Sequence, residues 1–157
     1  MADVHDKMTR SRNMAAIKGK NTKPEVWLRK ELFKRGFRYR LHRKDLPGKP
    51  DITLPRFRTV ILVNGCFWHL HEGCKYCKLP KSNTEFWRQK LLANKDRDIR
   101  NHRLLVESGW KVIIVWECAI KGQLRGNQQE LLDTISHQVL SSNTTSAILE
   151  GTSNQIE

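Results

Sequence analysis

Residues 59–63 are a continuous run of β-branched and apolar side chains, and a turn and a dense group of cysteine, histidine and aromatic residues follow at once. Such a run predicts a strand that is buried on both faces. The strand should end at Asn64-Gly65, which is a turn dipeptide. A rigid strand that presents reactive side chains at its end is a suitable framework for a site. We therefore expect residues 50–77 to organise the rest of the chain.

The side chains after this strand have the residue types and the spacing of a structural zinc site. Four residues separate Cys66 from His71, two separate His71 from Cys74, and Cys118 ends a second apolar segment. Three thiolates and one imidazole complete a tetrahedral zinc site with no open position, so the metal would be structural. Cys77 remains an alternative to Cys74 as a ligand. The competing interpretation is that the cysteines are small buried hydrophobic residues, but clustered Cys and His in a short hairpin favour zinc.

Asp51 is the carboxylate that precedes the strand. It follows a turn that Pro47, Gly48 and Pro50 define, and it opens a short predicted strand. The next strand, at hairpin distance, offers a main-chain carbonyl. A carboxylate and a carbonyl on adjacent strands suit Mg²⁺, which prefers oxygen ligands and keeps several waters. An Asp after Pro is also common in turns and caps, so this interpretation depends on the neighbouring His69.

Composition restricts the partners. The chain has 157 residues, about one domain, and its 29 Lys and Arg against 16 Asp and Glu give a net charge of +13. A charge of this size favours a polyanion, and nucleic acid is the simplest choice. The sequence has neither the roughly 18-residue apolar run of a membrane span nor the apolar core of a signal peptide. Four cysteines without a secretory signal predict a reducing, cytoplasmic environment.

The pattern divides the chain into a basic arm at residues 1–20, a domain at 21–140 and a disordered tail at 141–157. The arm either lies along phosphates or is a frayed terminus. Thr22 and Glu25 form a capping box that opens a helix ending at Gly36, with Val26, Leu28, Leu32 and Phe33 on its apolar face. Residues 37–41 alternate as an edge strand does.

A second capping box, Ser82 to Glu85, opens a long helix that ends at Gly109. Its predicted apolar side consists of Phe86, Leu91, Leu92, Ile99, Leu104, Leu105 and Val106. Residues 110–116 form another buried strand, and the helix between the two strands predicts a β-α-β crossover with parallel strands. Residues 128–140 form a last helix, with Leu131, Leu132, Ile135 and Val139 on one side.

Seven separated motifs resemble the very short patch repair (Vsr) endonucleases. They are residues 8–14 (MTRSRNM), 22–25 (TxxE), 47–51 (PGxPD), 64–71 (NGCFWHxH), 84–87 (TEFW), 94–98 (NxxRD) and 109–118 (GWxVxxVWEC). The resemblance implies a restriction-endonuclease-like fold of the PD-(D/E)xK type, an α/β fold with a mixed central sheet flanked by helices. It also implies a DNA endonuclease that nicks beside a T:G mismatch. We expect a monomer that acts on double-stranded DNA at the nucleoid, with mismatch-repair proteins as candidate partners.

The resemblance also implies roles for individual residues. Asp51 and the main-chain carbonyl of Val63 would hold Mg²⁺, and Glu25 would position metal-bound water. His69, oriented by Asp98, would act as the general base.

The resemblance assigns Phe67, Trp68 and Trp87 to an aromatic wedge that enters the base stack, with Met14 of the arm beside them. Three positions depart from the family pattern: Cys77 is an extra thiol, Val63 replaces a threonine but keeps its main-chain carbonyl, and Asn64 is the third. Asn64 stands where family members carry a histidine that aids phosphate or leaving-group stabilisation, and asparagine can donate a hydrogen bond but no proton at neutral pH.

Two other functions fit the same composition. One is a zinc-stabilised DNA-binding protein without catalysis, which would give Asp51, His69 and Asp98 no joint role. The other is a restriction-type endonuclease without mismatch selection, because an aromatic wedge indicates DNA distortion and does not identify the base pair.

Overall fold

The computed structural model describes residues 21–122, 128–142 and 146–150, in which five strands form one mixed sheet. The strands are β1 (Arg40–Leu41), β2 (Ile52–Leu54), β3 (Thr59–Asn64), β4 (Lys111–Trp116) and β5 (Ala147–Leu149), in that spatial order. The helices are α1 (Lys23–Lys34), α2 (Thr84–Glu107), α3 (Glu117–Gly122) and α4 (Gln128–Leu140), with a short 3₁₀ turn at Pro55–Phe57. The mixed α/β class with helices flanking a central sheet is as expected. The predicted N-terminal arm, including Met14, lies outside the described residues.

The β2–β3 hairpin and the β3–α2–β4 crossover position the site. β2 pairs antiparallel with β3, and β3 pairs parallel with β4 from Thr59↔Lys111 to Asn64↔Trp116. Both the buried strand that ends at Asn64 and the parallel crossover are confirmed. Because parallel strands end at the same edge of a sheet, the segments after Asn64 and after Trp116 emerge side by side.

The sheet has an apolar layer on each face. One layer joins α1 and α4 to the sheet through residues such as Leu28, Leu32, Ile61, Ile113 and Ile135. The other layer, under α2, contains Val60, Leu105, Trp110 and Val112. The predicted apolar side of α4 is confirmed, since Leu131, Leu132, Ile135 and Val139 are all buried.

The predicted apolar side of α2 is mostly wrong. Only Leu91 and Leu105 are buried, whereas Phe86, Leu92, Ile99, Leu104 and Val106 are exposed. Successive residues of a helix point about 100° apart, so Leu104 and Val106 lie on either side of the buried Leu105 and face away from the sheet. Phe33 of α1, also expected in the core, is exposed as well.

Neither predicted capping box forms. Thr22 is the N-cap of α1 but makes no side-chain cap bond, and Glu25 Oε1 accepts a hydrogen bond from the Asn21 amide instead. α2 begins at Thr84 after Asn83, so Ser82 is not its cap, and the Thr84 hydroxyl donates to the Pro80 carbonyl at 2.8 Å. Both predicted C-terminal stops are present, because Gly36 and Gly109 have φ of +95° and +89°, where other residues would be strained.

The prediction of a disordered tail is wrong for residues 146–150. β5 pairs parallel with β4 from Ile113↔Ala147 to Val115↔Leu149, so its backbone finds partners in the sheet. The predicted strand at residues 37–41 is shorter than expected, because only Arg40 and Leu41 are paired. None of the helices in the described part of the chain has both the length and the apolar character that crossing a membrane requires.

Candidate active site and metal centre

Asp51 lies at the start of β2, beside the end of β3. Its Oδ2 accepts a hydrogen bond of 2.8 Å from the Val63 amide. Burial raises the pKa of Asp51 to about 7; the Val63 amide opposes this rise, and the Glu25 carboxylate adds to it. The described contact with Val63 therefore involves its N–H group, while the role expected for its carbonyl remains a proposal. A half-buried carboxyl with this pKa favours a bound cation, because a cation would stabilise the ionised form.

Glu25 and His42 lie beside Asp51. Glu25 is only 1% exposed, and its Oε2 contacts His42 Nε2 at 2.6 Å and Arg29 Nη1 at 3.1 Å. One ligand atom from each of Glu25, His42 and Asp51 lies within 4.8 Å of the others. The sequence prediction placed Glu25 here but missed His42, because its neighbours Arg43 and Lys44 indicated a charged loop. The signal that identifies His42 is its position directly after β1, where its amide donates to the Asp51 carbonyl at 3.3 Å.

His69 and Asp98 form the expected pair. Asp98 comes from α2, and its Oδ2 lies 2.5 Å from His69 Nδ1. When Nδ1–H donates to Asp98, the lone pair of the neutral ring is on Nε2. Asn94, one turn earlier on α2, donates to the Trp68 carbonyl at 3.1 Å and so holds the loop against the helix.

Two clefts share Asp51, Val63 and His69 in their walls. The larger, about 840 Å³, is also lined by Glu25, Trp68, Lys90, Asn94 and Arg97. The smaller, about 510 Å³, is also lined by His42, Lys49, Asn64, Asp98 and Asn101. The carboxylate and the imidazole can therefore both reach a molecule that occupies these clefts. Asn64 and His42 both line the smaller cleft.

The expected aromatic residues form one cluster beside the larger cleft. The ring centroids of Phe67, Trp68 and Trp87 lie 5.1–5.8 Å apart in tilted and edge-to-face arrangements, and all three side chains are partly exposed. Phe86 extends the cluster at 5.4 Å from Trp87 and is 60% exposed. The sequence prediction assigned Phe86 to the core. Its place next to Trp87 on the first turn of α2 is the signal that could have identified it.

Cys66, His71, Cys74 and Cys118 form the second cluster. All four are buried, and their ligand atoms lie within 4.8 Å of one another. Cys118 Sγ is 3.6 Å from His71 Nδ1. Thiolate and imidazole ligands at the usual zinc distances from a tetrahedral ion lie about 3.5 Å apart, so the geometry fits this metal. Cys118 is on the first turn of α3, not on a strand as expected, and the half-buried Cys77 lies outside the set of four.

The loop that carries this cluster has further supports. The Cys66 amide donates to Glu117 Oε1 at 3.2 Å, and Lys95 of α2 forms an ion pair with Glu72 at 2.8 Å. The His71 ring stacks on Trp116, with centroids 4.0 Å apart and planes within 7°. A contact with Cys118 and burial raise the pKa of the Cys66 thiol in the absence of metal.

Comparison with known proteins gives consistent matches. Residues 2–75 match the family model described as DNA mismatch endonuclease Vsr. The DNA mismatch endonuclease Vsr of Escherichia coli K12 is 42% identical over 139 residues, 88% of each chain. A type II nicking enzyme of Neisseria meningitidis is 48% identical over 123 residues, which cover 78% of this chain and 87% of the relative. A type II nicking enzyme of Xanthomonas oryzae is 46% identical over 122 residues, which cover 76% and 89%.

Proposed function

We propose that this chain, which belongs to the Vsr family of DNA mismatch endonucleases, cuts one strand of duplex DNA beside a T:G mismatch. It is a nicking endonuclease of mismatch repair, and we place its Mg²⁺ at Asp51. The observation that carries the catalytic proposal is the shared wall of the two clefts. There the half-buried Asp51 and His69 face the same space, and Asp98, the partner of His69, lines the smaller cleft. We also propose the PD-(D/E)xK-type fold, because the β2–β3 hairpin carries the carboxylate next to a parallel β3–α2–β4 unit.

Asp51 and the main-chain carbonyl of Val63 would hold Mg²⁺. The oxygen donors fit this hard cation, and the pKa of Asp51, which desolvation raises to about 7, supports a bound cation that would stabilise the ionised form. When bound, Mg²⁺ supplies positive charge that stabilises the developing charge on the scissile phosphate. Glu25 orients water next to Asp51, and His42, Arg29 and the Asn21 amide fix its carboxylate.

His69 takes the proton from the attacking water at Nε2. Asp98 holds Nδ1–H, fixes this tautomer and stabilises the imidazolium that forms. Asn64 replaces a proton donor with an amide that donates a hydrogen bond to the phosphate. The second imidazole in the smaller cleft, beside that of His69, therefore comes from His42 and not from the side chain at position 64.

The aromatic cluster contacts DNA as a wedge. Phe67, Trp68 and Trp87 support one another, so part of each ring stays exposed without collapse onto the core. Apolar wedges unstack a base step and kink the duplex, and a mismatched step costs least to unstack. We include Met14 of the arm in this contact. The charge of +13 supplies attraction to phosphates that does not depend on sequence.

Zinc on Cys66, His71, Cys74 and Cys118 has a structural role. It joins the loop after β3 to the start of α3 after β4, and the same loop carries Phe67, Trp68 and His69. We propose that the enzyme acts as a monomer at the nucleoid, where mismatch-repair proteins are candidate partners.

The residue roles can be tested by single-turnover nicking of a T:G duplex in Mg²⁺. Asp51→Asn should abolish nicking, and His69→Ala should slow it by roughly 10²- to 10⁴-fold. Asp98→Asn should slow nicking to a similar extent, because an asparagine amide that donates to Nδ1 would place the ring proton on Nε2. Asp96→Asn is the matched control, since Asp96 is exposed two residues away on the same helix.

Binding is measured separately, with Ca²⁺ in place of Mg²⁺. There each variant should bind the duplex with the affinity of the unaltered protein, which separates catalysis from binding. Binding without nicking by the unaltered protein would favour the non-catalytic alternative. If Asp98→Asn and Asp96→Asn had equal effects, the role of Asp98 would be refuted.

A further inference from the structure

Glu150 follows β5 directly and contacts the Cys/His cluster, although it lies near the opposite end of the chain. Its Oε2 lies 2.5 Å from His71 Nε2, although 79 residues separate the two in sequence. The His71 side chain is 9% exposed and the Glu150 side chain 47%. The Glu150 carboxylate therefore keeps contact with solvent, and its charge stays hydrated while one oxygen contacts a buried ring.

The two nitrogens of His71 face different groups. Nδ1 is 3.6 Å from Cys118 Sγ, on the side of the ligand cluster, whereas Nε2 faces Glu150. Stacking on Trp116 fixes the plane of the ring between them. The orientation of His71 therefore leaves Nδ1 on the side of the ligand cluster and Nε2 in position to donate a hydrogen bond to Glu150.

A histidine that binds a metal through Nδ1 carries its proton on Nε2. A carboxylate that accepts this proton fixes the tautomer, orients the ring and makes the ligand nitrogen more basic. Glu150 Oε2 occupies the position of such an acceptor. Because Glu150 is held at the end of β5, and β5 pairs with β4, the position of the carboxylate depends on the sheet.

We propose that Glu150 is a positioning residue for the zinc centre, and that it couples the C-terminal strand to the metal. This inference rests on the proposed zinc site and is independent of the nicking chemistry at Asp51. By reciprocity, bound zinc stabilises the docking of β5, and docked β5 strengthens the binding of zinc.

The test is the rate of zinc release from the full-length, zinc-loaded protein to an excess of a chromogenic chelator. Loss of such an outer carboxylate typically weakens metal binding about 10- to 100-fold. Because Glu150 contacts His71 in the folded, metal-binding state, we expect the weaker binding of Glu150→Ala to appear as faster release, by up to about this factor. The release rate of Glu150→Gln should lie between those of the unaltered protein and Glu150→Ala, because the glutamine amide oxygen can still accept a hydrogen bond from His71 Nε2–H. Glu130→Ala is the matched control, since Glu130 is exposed on α4.

Rescue by glutamine distinguishes positioning from a general loss of structure. Release from Glu150→Ala at the unaltered rate would overturn the proposal, and so would equal acceleration in the Ala and Gln variants. A protein that binds no zinc would overturn the zinc site together with this role. A protein that holds zinc but fails to nick would refute the proposed catalysis and leave the role of Glu150 intact.

Discussion

Replacement of Asp51 by asparagine should stabilise the protein in the absence of Mg²⁺ while it removes activity. The new side-chain amide would keep an oxygen to accept the Val63 N–H, and its NH₂ group would face Glu25 in place of a second carboxyl. The change therefore removes the buried charge and preserves the shape of the side chain. We expect the free energy of unfolding to increase with this substitution at neutral and alkaline pH.

The magnitude follows from the pKa of Asp51, which is about 7 in the folded chain against an ordinary value of 3.8. In the folded state the carboxyl holds its proton more tightly, so stability is greatest below pH 3.8 and is lost as pH rises to about 7. At about 1.4 kcal/mol per tenfold change in proton affinity, the full loss is about 4 kcal/mol. The advantage of Asp51→Asn should thus be about 2 kcal/mol at pH 5 and about 4 kcal/mol at pH 8.

The assay is urea unfolding of both proteins across this pH range, with zinc retained and no Mg²⁺ added. Titrations that the two proteins share cancel in the difference between their free energies of unfolding. Asp45→Asn is the control, because Arg43 lowers the pKa of Asp45 and its replacement should give no gain. Mg²⁺ should stabilise the unaltered protein at pH 8 and leave Asp51→Asn unchanged. A difference that stayed constant with pH, or a less stable Asp51→Asn at pH 8, would refute the reasoning.

Three further predictions concern single contacts. His42→Ala should lower the free energy of unfolding by about 1–3 kcal/mol, measured in urea, because the buried Glu25 carboxylate loses a donor at 2.6 Å. Lys111→Met should lower the free energy of unfolding by about 1–3 kcal/mol, and calorimetry should show a lower Tm. The reason is that Lys111 Nζ donates to the carbonyls of Gln138 and Ser141 at the end of α4. Trp68→Ala should weaken binding to mismatched DNA by about 1–3 kcal/mol in fluorescence anisotropy and leave the urea midpoint nearly unchanged, since the ring is partly exposed. An unchanged midpoint for His42→Ala or Lys111→Met, or unchanged DNA affinity for Trp68→Ala, would contradict the corresponding contact.

The sequence predicted the elements whose local pattern decides their structure. The short, β-branched runs that became β3 and β4 favoured buried strands over helices, and the intervening helix predicted that the strands are parallel. The Cys/His cluster was predictable because few residue types bind a metal such as zinc. The pairing of His69 with Asp98, 29 residues apart, came from the family resemblance and not from the pattern.

The remaining features depend on tertiary placement. His42 has the sequence surroundings of a solvated basic loop, and only the pairing of β1 with β2 brings it to Glu25. Glu150 follows a polar segment whose composition predicted disorder, yet three apolar residues suffice when β4 offers a paired edge. The apolar side of α2 was mispredicted because consecutive apolar residues such as Leu104, Leu105 and Val106 cannot all lie on one face of a helix.

The most direct test of the central claim is a nicking assay in Mg²⁺ on two duplexes that differ only in one base pair, T:G or C:G, with each strand end-labelled separately. We predict a single cut, beside the thymine and in its own strand, in the mismatched duplex alone. Equal cutting of both duplexes would contradict mismatch selection and leave a general nicking enzyme. Cutting of both strands would contradict the single-strand mechanism.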